Sequence, residues 1–357
     1  MLCYQSVDNN GAIVRTITLK RPDDWHVHLR DGAYLLDTVN ATAQHFSRAL
    51  IMPNLKPALT SLESLLQYRQ RILNALNPKQ NFTPYLTFYL NEAVCADDLQ
   101  HAKTHPFILG GKLYPAGVTT NAEQGAQSIT ALYPLLDIMQ QQDLVLQIHG
   151  EVNHSDIFDR ERLFLTEQLT PIMHNFPKLR IVLEHISTKA AVRYVEESPN
   201  NLAATVTPHH LLYDRNHLLA QGIKPHYYCL PILKTADDRT ALLQAVTSAN
   251  PKFFAGTDSA PHTKENKENA CGCAGIYSAP FALALYAKAF AETNQLHRLN
   301  DFLSIFGANF YHLPHNQSEV VLIEKPQTIP NELPFGAHQV IPLAAGSELS
   351  WSVQTCQ

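Results

Sequence analysis

The chain has few cysteines, no excess of positive charge and no long hydrophobic run, and each absence excludes a class of protein. The formal net charge is −5, so no basic field favours a nucleic-acid partner. The most apolar long run, 278–291, is shorter than a membrane span and contains Lys288. The first 22 residues lack the continuous apolar core of a signal peptide. We therefore expect a soluble, cytoplasmic protein without membrane partners.

The cysteines are also spaced in a way that argues against a disulfide framework. Six cysteines are scattered irregularly through 357 residues: Cys3, Cys95, Cys229, Cys271, Cys273 and Cys356. Such a pattern is typical of reduced thiols in a long chain. The pair Cys271 and Cys273 lacks a second cysteine pair, so a loop or packing role is favoured over a zinc site.

Short apolar runs alternate with longer amphipathic segments over most of the chain. The predicted helices include 61–76, 129–143, 187–198 and 237–249, where apolar residues recur every three or four positions. The predicted strands are 25–29, 48–54, 85–90, 107–114, 144–150, 180–186, 202–208 and 252–258. Eight strands alternating with helices predict an α/β protein, a (β/α)8 TIM-like barrel.

No repeat, low-complexity tract or flexible linker interrupts this pattern. After about Leu313 the sequence changes to short strand-like pieces rich in proline. We expect one domain over 1–357, with a barrel core at about 22–312. The two termini would pack on the barrel as short extensions.

Polar residues fall at the carboxyl ends of the predicted strands, where barrel active sites are built. The first strand supplies His26 and His28, followed by Arg30, and alternation would place these three on one face. Later strand ends supply Asn54, Lys112, His149, His185 and Asp258, with His262 shortly after. The first pair of histidines alone fits an exposed edge strand as well as a metal site. The whole set favours metal catalysis.

The residue types fit zinc, because neutral imidazole and carboxylate are its usual ligands. Two metals about 3.5–4 Å apart can share a hydroxide and polarise a carbonyl together. Four histidines and Asp258 underfill two such metals, so a bridging anion is missing. Lys112 could supply it as a carbamate, since burial near cations lowers the pKa of an amine. The alternative for Lys112 is a buried salt bridge.

Several motifs resemble those of the amidohydrolase superfamily, and more narrowly of the short bacterial type of dihydroorotase. They are DDWHVHLRDG, MPNLKP, GGKLYPAG, LQIHGE, EHIST and FFAGTDSAPHTKENKENACGCAG. The resemblance covers about Arg21 to Asn309 and shows no departure at a metal position. It implies reversible cyclisation of N-carbamoyl-L-aspartate to L-dihydroorotate, the third step of pyrimidine biosynthesis, by a homodimer.

The resemblance also implies a role for each residue at the strand ends. His26, His28, Lys112 and Asp258 would hold the more buried zinc, and carboxylated Lys112, His149 and His185 the more exposed one. Asp258 would carry a proton from the hydroxide that bridges the metals to the leaving nitrogen. The substrate would be bound by Arg30, Asn54, His149, His262 and the backbones of Leu230 and Ala274.

Two further segments have open interpretations. The loop after Lys112 is rich in glycine and small polar residues and resembles a lid, with Thr119 and Thr120 reaching the ligand; the alternative is an ordinary exposed loop. His209 and His210 follow the seventh strand, but the metals are already supplied. A structural hydrogen-bonding role is favoured for this pair.

Two rival functions remain at this point. A hydantoinase or allantoinase would use the same metals, but Arg30 and Asn54 as carboxylate anchors argue against a neutral ring substrate. A barrel that has lost its metals and its catalysis would be a binding protein. The intact candidate ligands argue against that possibility.

Overall fold

The computed structural model describes residues 4–7 and 13–354; Cys3 and Cys356 lie outside the described residues. The chain opens with two antiparallel strands, β1 Tyr4–Val7 and β2 Ile13–Lys20. Eight parallel strands then form a barrel: β3 Asp23–Val27, β4 Arg48–Ile51, β5 Thr83–Leu90, β6 Ile108–Leu113, β7 Val145–His149, β8 Ile181–Glu184, β9 Leu202–Val206 and β10 Phe253–Ala255.

The barrel closes between its first and last strands. The amide of Asp258 donates to the carbonyl of His26 over 2.8 Å, and the amide of His28 donates to Ser259 over 3.1 Å. All eight predicted strands are confirmed, and their ends shift by at most a few residues. The (β/α)8 prediction is therefore confirmed.

The first strand begins and ends two residues earlier than predicted. It ends at Val27, because His28 leaves the β4 side of the sheet and pairs with the segment after β10. Arg30 has a φ of 60° and lies in the left-handed region. Continuous alternation from His26 to Arg30 was therefore wrong, and a turn directs the Arg30 side chain.

Helices cover the outside of the barrel. They are α1 Leu35–His45, α2 Leu62–Ala75, α3 Ala96–Ala102, α4 Tyr133–Gln142, α5 Arg160–Phe164, α6 Thr170–Asn175, α7 Lys189–Glu197, α8 Pro208–Leu212, α9 Arg215–Leu219, α10 Ala236–Thr247, α11 Lys264–Lys267, α12 Ala282–Glu292 and α13 Phe306–Phe310. Side chains cap several of them, as where Ser61 accepts from the amide of Ser64 at the start of α2. Within residues 4–7 and 13–354, none of these helices has the length and apolar character that crossing a bilayer requires.

The terminal segments pair with each other outside the barrel. The C-terminal strands are β11 Glu319–Ile323, β12 Gln327–Thr328, β13 Leu333–Phe335, β14 His338–Val340, β15 Glu348–Leu349 and β16 Ser352–Val353. Strand β11 lies between β2 and β16 in one antiparallel sheet. The hairpin β13–β14 packs against the start of the first barrel helix, where Phe335 stacks on Tyr34.

An apolar cluster, called the plug below, fills one end of the barrel interior, and the polar residues lie at the other end. Trp25, Val145 and Phe254 come from three barrel strands and pack with α13, and Trp25 stacks on Tyr311 with ring centroids 4.5 Å apart. On β7, Val145 and His149 share a face, because side chains alternate along a strand. The same strand therefore supplies an apolar residue to this plug and a polar residue to the carboxyl-terminal end.

Candidate active site

Two histidines and an aspartate meet at the carboxyl ends of the first and last barrel strands. The Nε2 atoms of His26 and His28 lie 3.3 Å apart. Oδ1 of Asp258 is 3.4 Å from Nε2 of His26 and 3.1 Å from Nε2 of His28. Potential ligand atoms of His26, His185 and Asp258 all lie within 4.8 Å of one another. The strand ends predicted from sequence are therefore brought together.

The other two candidate metal residues join the same cluster. The ring of His185 lies 4.9 Å from that of His26 and 4.8 Å from that of His149, between centroids. Lys112 is completely buried at the end of β6, and its charge acts on the pKa of His26, His185 and Asp258.

Two buried nitrogen atoms of this cluster test whether metal ions fit it. Among the described residues, neither Nζ of Lys112 nor Nδ1 of His185 has a hydrogen-bond partner. Leaving such groups unpaired costs free energy, so a buried amine and imidazole without partners indicate a missing ligand. Nitrogen and carboxylate oxygen are the donors that divalent transition metals and zinc accept. The residues present therefore fit metal ions.

Burial keeps three candidate histidine ligands in the protonation state that metal binding needs, and it shifts Lys112 towards its neutral form. It lowers the pKa of His26, His28 and His185, so these imidazoles are neutral. Burial also lowers the pKa of Lys112 to about 8, although Glu184 and Asp258 oppose that effect. For Asp258, burial raises the pKa, but the hydrogen bond with His28 and the electrostatic effects of His26, His28 and Lys112 outweigh it and lower the pKa to about 2.

Two buried glutamates orient the histidines, and sequence reasoning missed both. Glu184 accepts from Nδ1 of His26 over 2.9 Å, and Glu151 accepts from Nε2 of His149 over 2.8 Å. His26 therefore presents Nε2 to the cluster. For His149, only Nδ1 remains available as a ligand atom. Carboxylates behind ligating histidines are a recurring feature of metal sites. The only sequence signal was their position next to histidines, in HGE and LEH.

Three of the candidate residues have left-handed backbones. Arg30 has a φ of 60°, and His185 and Asp258 each have a φ of 43°. This conformation is uncommon for residues other than glycine and concentrates at functional sites. It is supported locally, since the amide of His185 donates to Oγ1 of Thr205 over 2.7 Å.

Beyond the candidate metal ligands, Arg30 and His262 face each other at the mouth of the barrel. Nη2 of Arg30 donates to Nε2 of His262 over 3.1 Å, and Nε donates to the carbonyl of Pro261 over 2.9 Å. Burial, with the charge of Arg30, lowers the pKa of His262 to about 2, so this ring is neutral and accepts. A planar guanidinium beside an imidazole is suited to bind a carboxylate.

The loop after β6 lies across this mouth. Oγ1 of Thr120 donates to the carbonyl of Ala274 over 3.2 Å, and Nδ2 of Asn54 donates to the carbonyl of Thr120 over 3.1 Å. Thr119, Thr120, Leu230 and Ala274 line a small inner pocket together with the four candidate histidines and Asp258. An outer cavity of about 860 Å³ continues from Arg30 and His262 towards solvent. The predicted lid residues therefore contact the candidate site.

His209 and His210 lie apart from the candidate ligands. His210 is satisfied, because Nδ1 lies 2.8 Å from Oγ1 of Thr207 and Nε2 donates to the carbonyl of Pro231 over 3.0 Å. His209 is buried and has no hydrogen-bond partner among the described residues, with Cys229 within reach. The structural role predicted for the pair fits His210 and does not account for His209.

Comparisons with known proteins agree with this geometry. Residues 23–320 match the model of the amidohydrolase family. A dihydroorotase of Nitrosococcus oceani is 53% identical over 341 residues, covering 95% of this chain and 99% of the relative. A dihydroorotase of Coxiella burnetii is 52% identical over 344 residues, covering 96% of this chain and 99% of the relative.

Solved structures give the same result. The dihydroorotase of Saccharomyces cerevisiae in complex with 5-fluoroorotic acid superposes with a TM-score of 0.88 at 35% identity, covering 95% of this chain and 98% of that one. An L-hydantoinase of Arthrobacter aurescens reaches a TM-score of 0.77 at 15% identity, covering 94% of this chain and 83% of that one, and so shares the fold. The chain belongs to the amidohydrolase family and, within it, to the dihydroorotases.

Proposed function

We propose that this chain interconverts N-carbamoyl-L-aspartate and L-dihydroorotate with two zinc ions bridged by carboxylated Lys112. Dihydroorotases are enzymes of pyrimidine biosynthesis that act on a cyclic amide. The observation that carries the proposal is the juxtaposition of two sets of residues. A cluster of buried nitrogen and carboxylate ligands lies directly beside Arg30 and His262, which are suited to hold a carboxylate.

The proposed ligands divide into two groups that share Lys112. His26, His28, Lys112 and Asp258 would hold one metal, and Lys112, His149 and His185 the other. The neutral amine of Lys112 would add carbon dioxide and lose a proton, giving a carbamate with one oxygen for each metal. The buried Nζ and the lack of a partner for it among the described residues support this step, and a pKa lowered to about 8 makes a fraction of the amine neutral at neutral pH, from which carbon dioxide can be taken up.

When bound, the metal ions would activate water at neutral pH and polarise the amide carbonyl. Asp258 would take the proton from the attacking water and deliver it to the ring nitrogen that leaves. The low pKa of Asp258, about 2, keeps the carboxylate ionised and able to accept that proton. Ring closure is the same path in reverse, with Asp258 taking the proton from the amide nitrogen.

The remaining residues would bind and orient the substrate. Arg30, Asn54 and His262 would hold the α-carboxylate, and the backbones of Leu230 and Ala274 would contact the ring. His149 would contact the substrate from the metal side, and Thr119 and Thr120 would cover it. With a net charge of −5, attraction of an acidic substrate has to be local to Arg30 and the metals.

The half-buried pair of Arg30 and His262 also bears on the rival functions. A hydantoin carries no carboxylate at this position, so its binding would cover the guanidinium without supplying an anionic partner. A metal-free binding protein would have no use for an unpaired Lys112 amine in a ring of neutral imidazoles. Both observations favour the dihydroorotase reaction.

We also propose that 1–357 forms one domain with a barrel core at about 22–312. The proposed homodimer and cytoplasmic location rest on the resemblance to the short bacterial dihydroorotases. Size measurement in solution tests the dimer, since a single-chain mass would contradict it.

The test of the proposed function combines metal analysis with two activity assays on the purified protein. We expect two zinc ions per chain, hydrolysis of L-dihydroorotate and its formation from N-carbamoyl-L-aspartate. Hydantoin under the same conditions is the control substrate. A protein that hydrolyses hydantoin faster than dihydroorotate, or that turns over dihydroorotate without metal, would contradict the proposal.

A further inference from the structure

A buried lysine outside the proposed metal and substrate sets joins two segments of the substrate pocket. Nζ of Lys267, at the end of α11, donates to the carbonyls of Tyr228 and Cys273 over 3.0 Å each, and to the carbonyl of Gly275. The Lys267 side chain is 4% exposed. All three N–H donors of the ammonium are therefore used by backbone oxygens.

The two segments are those that carry Leu230 and Ala274. Leu230 follows Tyr228 by two residues, and Ala274 lies between Cys273 and Gly275. A direct backbone bond also joins them, from the amide of Gly275 to the carbonyl of Tyr228 over 3.0 Å. Lys267 therefore lies at the contact that sets the distance between the two segments.

The segment of Ala274 packs closely against neighbouring backbone. A Cβ on Gly272 would lie 2.6 Å from the carbonyl oxygen of Lys267, and a Cβ on Gly275 would lie 2.3 Å from that of Ala260. Both glycines are needed for these close backbone approaches. In this close backbone packing, the Lys267 side chain reaches three carbonyls and adds a cross-link to the direct backbone hydrogen bond.

The site also requires a positive charge in this position. Three carbonyl oxygens point at one buried atom, and a neutral apolar side chain would remove this donor from all three, although Tyr228 would keep the amide of Gly275. Burial lowers the pKa of Lys267 to about 8, which leaves the ammonium charged at neutral pH. The nearest part of the mouth also holds the Arg30 guanidinium, which disfavours a second charge unless it is stabilised in this way.

We propose that Lys267 is a positioning residue, which fixes the backbones of Leu230 and Ala274 at the spacing that the substrate ring requires. This inference rests on the proposed function, because the ring contacts of those two backbones belong to it. The role differs from catalysis, since Lys267 contacts neither the metal candidates nor the reacting atoms.

The experiment compares Lys267→Met with a matched control, Lys252→Met. Lys252 also donates to three carbonyls, those of Val195, Glu196 and Ser198, but it does so at the opposite end of the barrel. Both variants lose the same kind of cross-link. The measurements are metal content, melting temperature, kcat and KM for dihydroorotate, and equilibrium binding of orotate, a planar ligand that does not react.

We expect Lys267→Met to raise KM and weaken orotate binding by about tenfold or more, because small displacements of binding groups are costly. Metal content should equal that of the wild type, and kcat should change less than KM. Lys252→Met should lower the melting temperature and leave KM and orotate binding unchanged. Lys267→Gln, which retains two N–H donors, should fall between Lys267→Met and the wild type.

Equal KM values in wild type and folded Lys267→Met, or an equal rise of KM in Lys252→Met, would overturn the proposal. If Lys267→Met does not fold, Lys267→Gln replaces it, and wild-type orotate binding in that variant would overturn the proposal as well. Failure of both variants to fold would make the role of Lys267 structural and also overturn it. A wild-type protein without dihydroorotate turnover overturns the proposed function itself, which is a distinguishable result.

Discussion

Glu184 accepts a hydrogen bond from Nδ1 of His26 over 2.9 Å, and both side chains are buried. This contact leaves Nε2 of His26 facing Asp258 and His28. The orientation of a proposed metal ligand thus depends on a carboxylate that does not itself belong to the ligand set.

Replacing that carboxylate should weaken metal binding without removing a ligand. We expect Glu184→Gln to lower metal affinity by about tenfold to a hundredfold, the usual effect of losing such a partner. Competition with a chelator measures the affinity. Glu161→Gln is the control. Glu161 is equally buried, but it accepts hydrogen bonds from the hydroxyls of Ser187 and Thr188 and not from a candidate metal ligand. Equal metal affinity in Glu184→Gln and wild type would contradict the assignment.

Removal of the Lys112 amine should remove the proposed bridge between the metals. We expect Lys112→Ala to lose most of its metal and activity, because the histidines and Asp258 alone leave the coordination incomplete. Short-chain carboxylic acids should restore part of both by occupying the position of the carbamate. Metal analysis and turnover with added acetate test this. A two-metal structure with an unmodified Lys112 ammonium would refute it.

Loss of the Arg30 guanidinium should affect substrate binding alone. We expect Arg30→Met to raise KM. The loss corresponds to about 2–3 kcal/mol of binding free energy, the value for a charged hydrogen-bonded pair. Zinc content should remain near that of the wild type. Arg162→Met, which removes an exposed ion pair with Asp159, is the control. Zinc loss in Arg30→Met would show that Arg30 supports the ligands of the first strand instead.

The amide variant of Asp258 separates its two proposed roles. Asp258→Asn retains one ligating oxygen but cannot carry the proton, so we expect some metal to remain while the rate falls by several orders of magnitude, about 10²–10⁴ for the lost base. Turnover in both directions and metal content are measured on the same samples. Near-normal turnover in a metal-loaded variant would assign the proton transfer to another group, with His262 the next candidate.

A buried histidine outside the candidate active site should make the fold acid-sensitive. His45, the last residue of α1, is 7% exposed and donates from Nε2 to the carbonyl of Pro280 over 3.0 Å. Burial lowers its pKa from 6.5 to about 4, and Arg21 adds to this effect. Between these values the unfolded chain binds a proton that the folded chain does not.

The contribution of His45 to the free energy of unfolding is therefore full above pH 6.5, and it is lost as the pH falls towards 4. At about 1.4 kcal/mol for each pH unit, the loss amounts to about 3 kcal/mol. His45→Gln retains a side-chain N–H for Pro280 and does not ionise, so its unfolding free energy should depend less on pH in this window. Denaturant unfolding from pH 7 to pH 4 tests this, with His101→Gln on the surface of α3 as the control. Parallel curves for His45→Gln and wild type would contradict the prediction.

The local sequence was enough to determine the eight strands and the positions that end them. Buried parallel strands are continuous apolar runs, so Val145–His149 and Ile181–Glu184 were visible as strands without knowledge of their neighbours. Because all strands of a barrel point the same way, a polar residue at one strand end implies proximity to those at the others. That argument placed His149, His185 and Asp258 together from sequence alone.

The tertiary structure decided what depends on distant segments. The turn at Arg30 exists because the chain leaves β3 to pair with Ser259, more than 200 residues away, and local alternation carries no sign of it. The partners of Glu184 and Lys267 are likewise set by how strands and loops meet. A glutamate or lysine in the sequence is equally compatible with solvent, and only burial against an imidazole nitrogen or three carbonyl oxygens gives it a definite role.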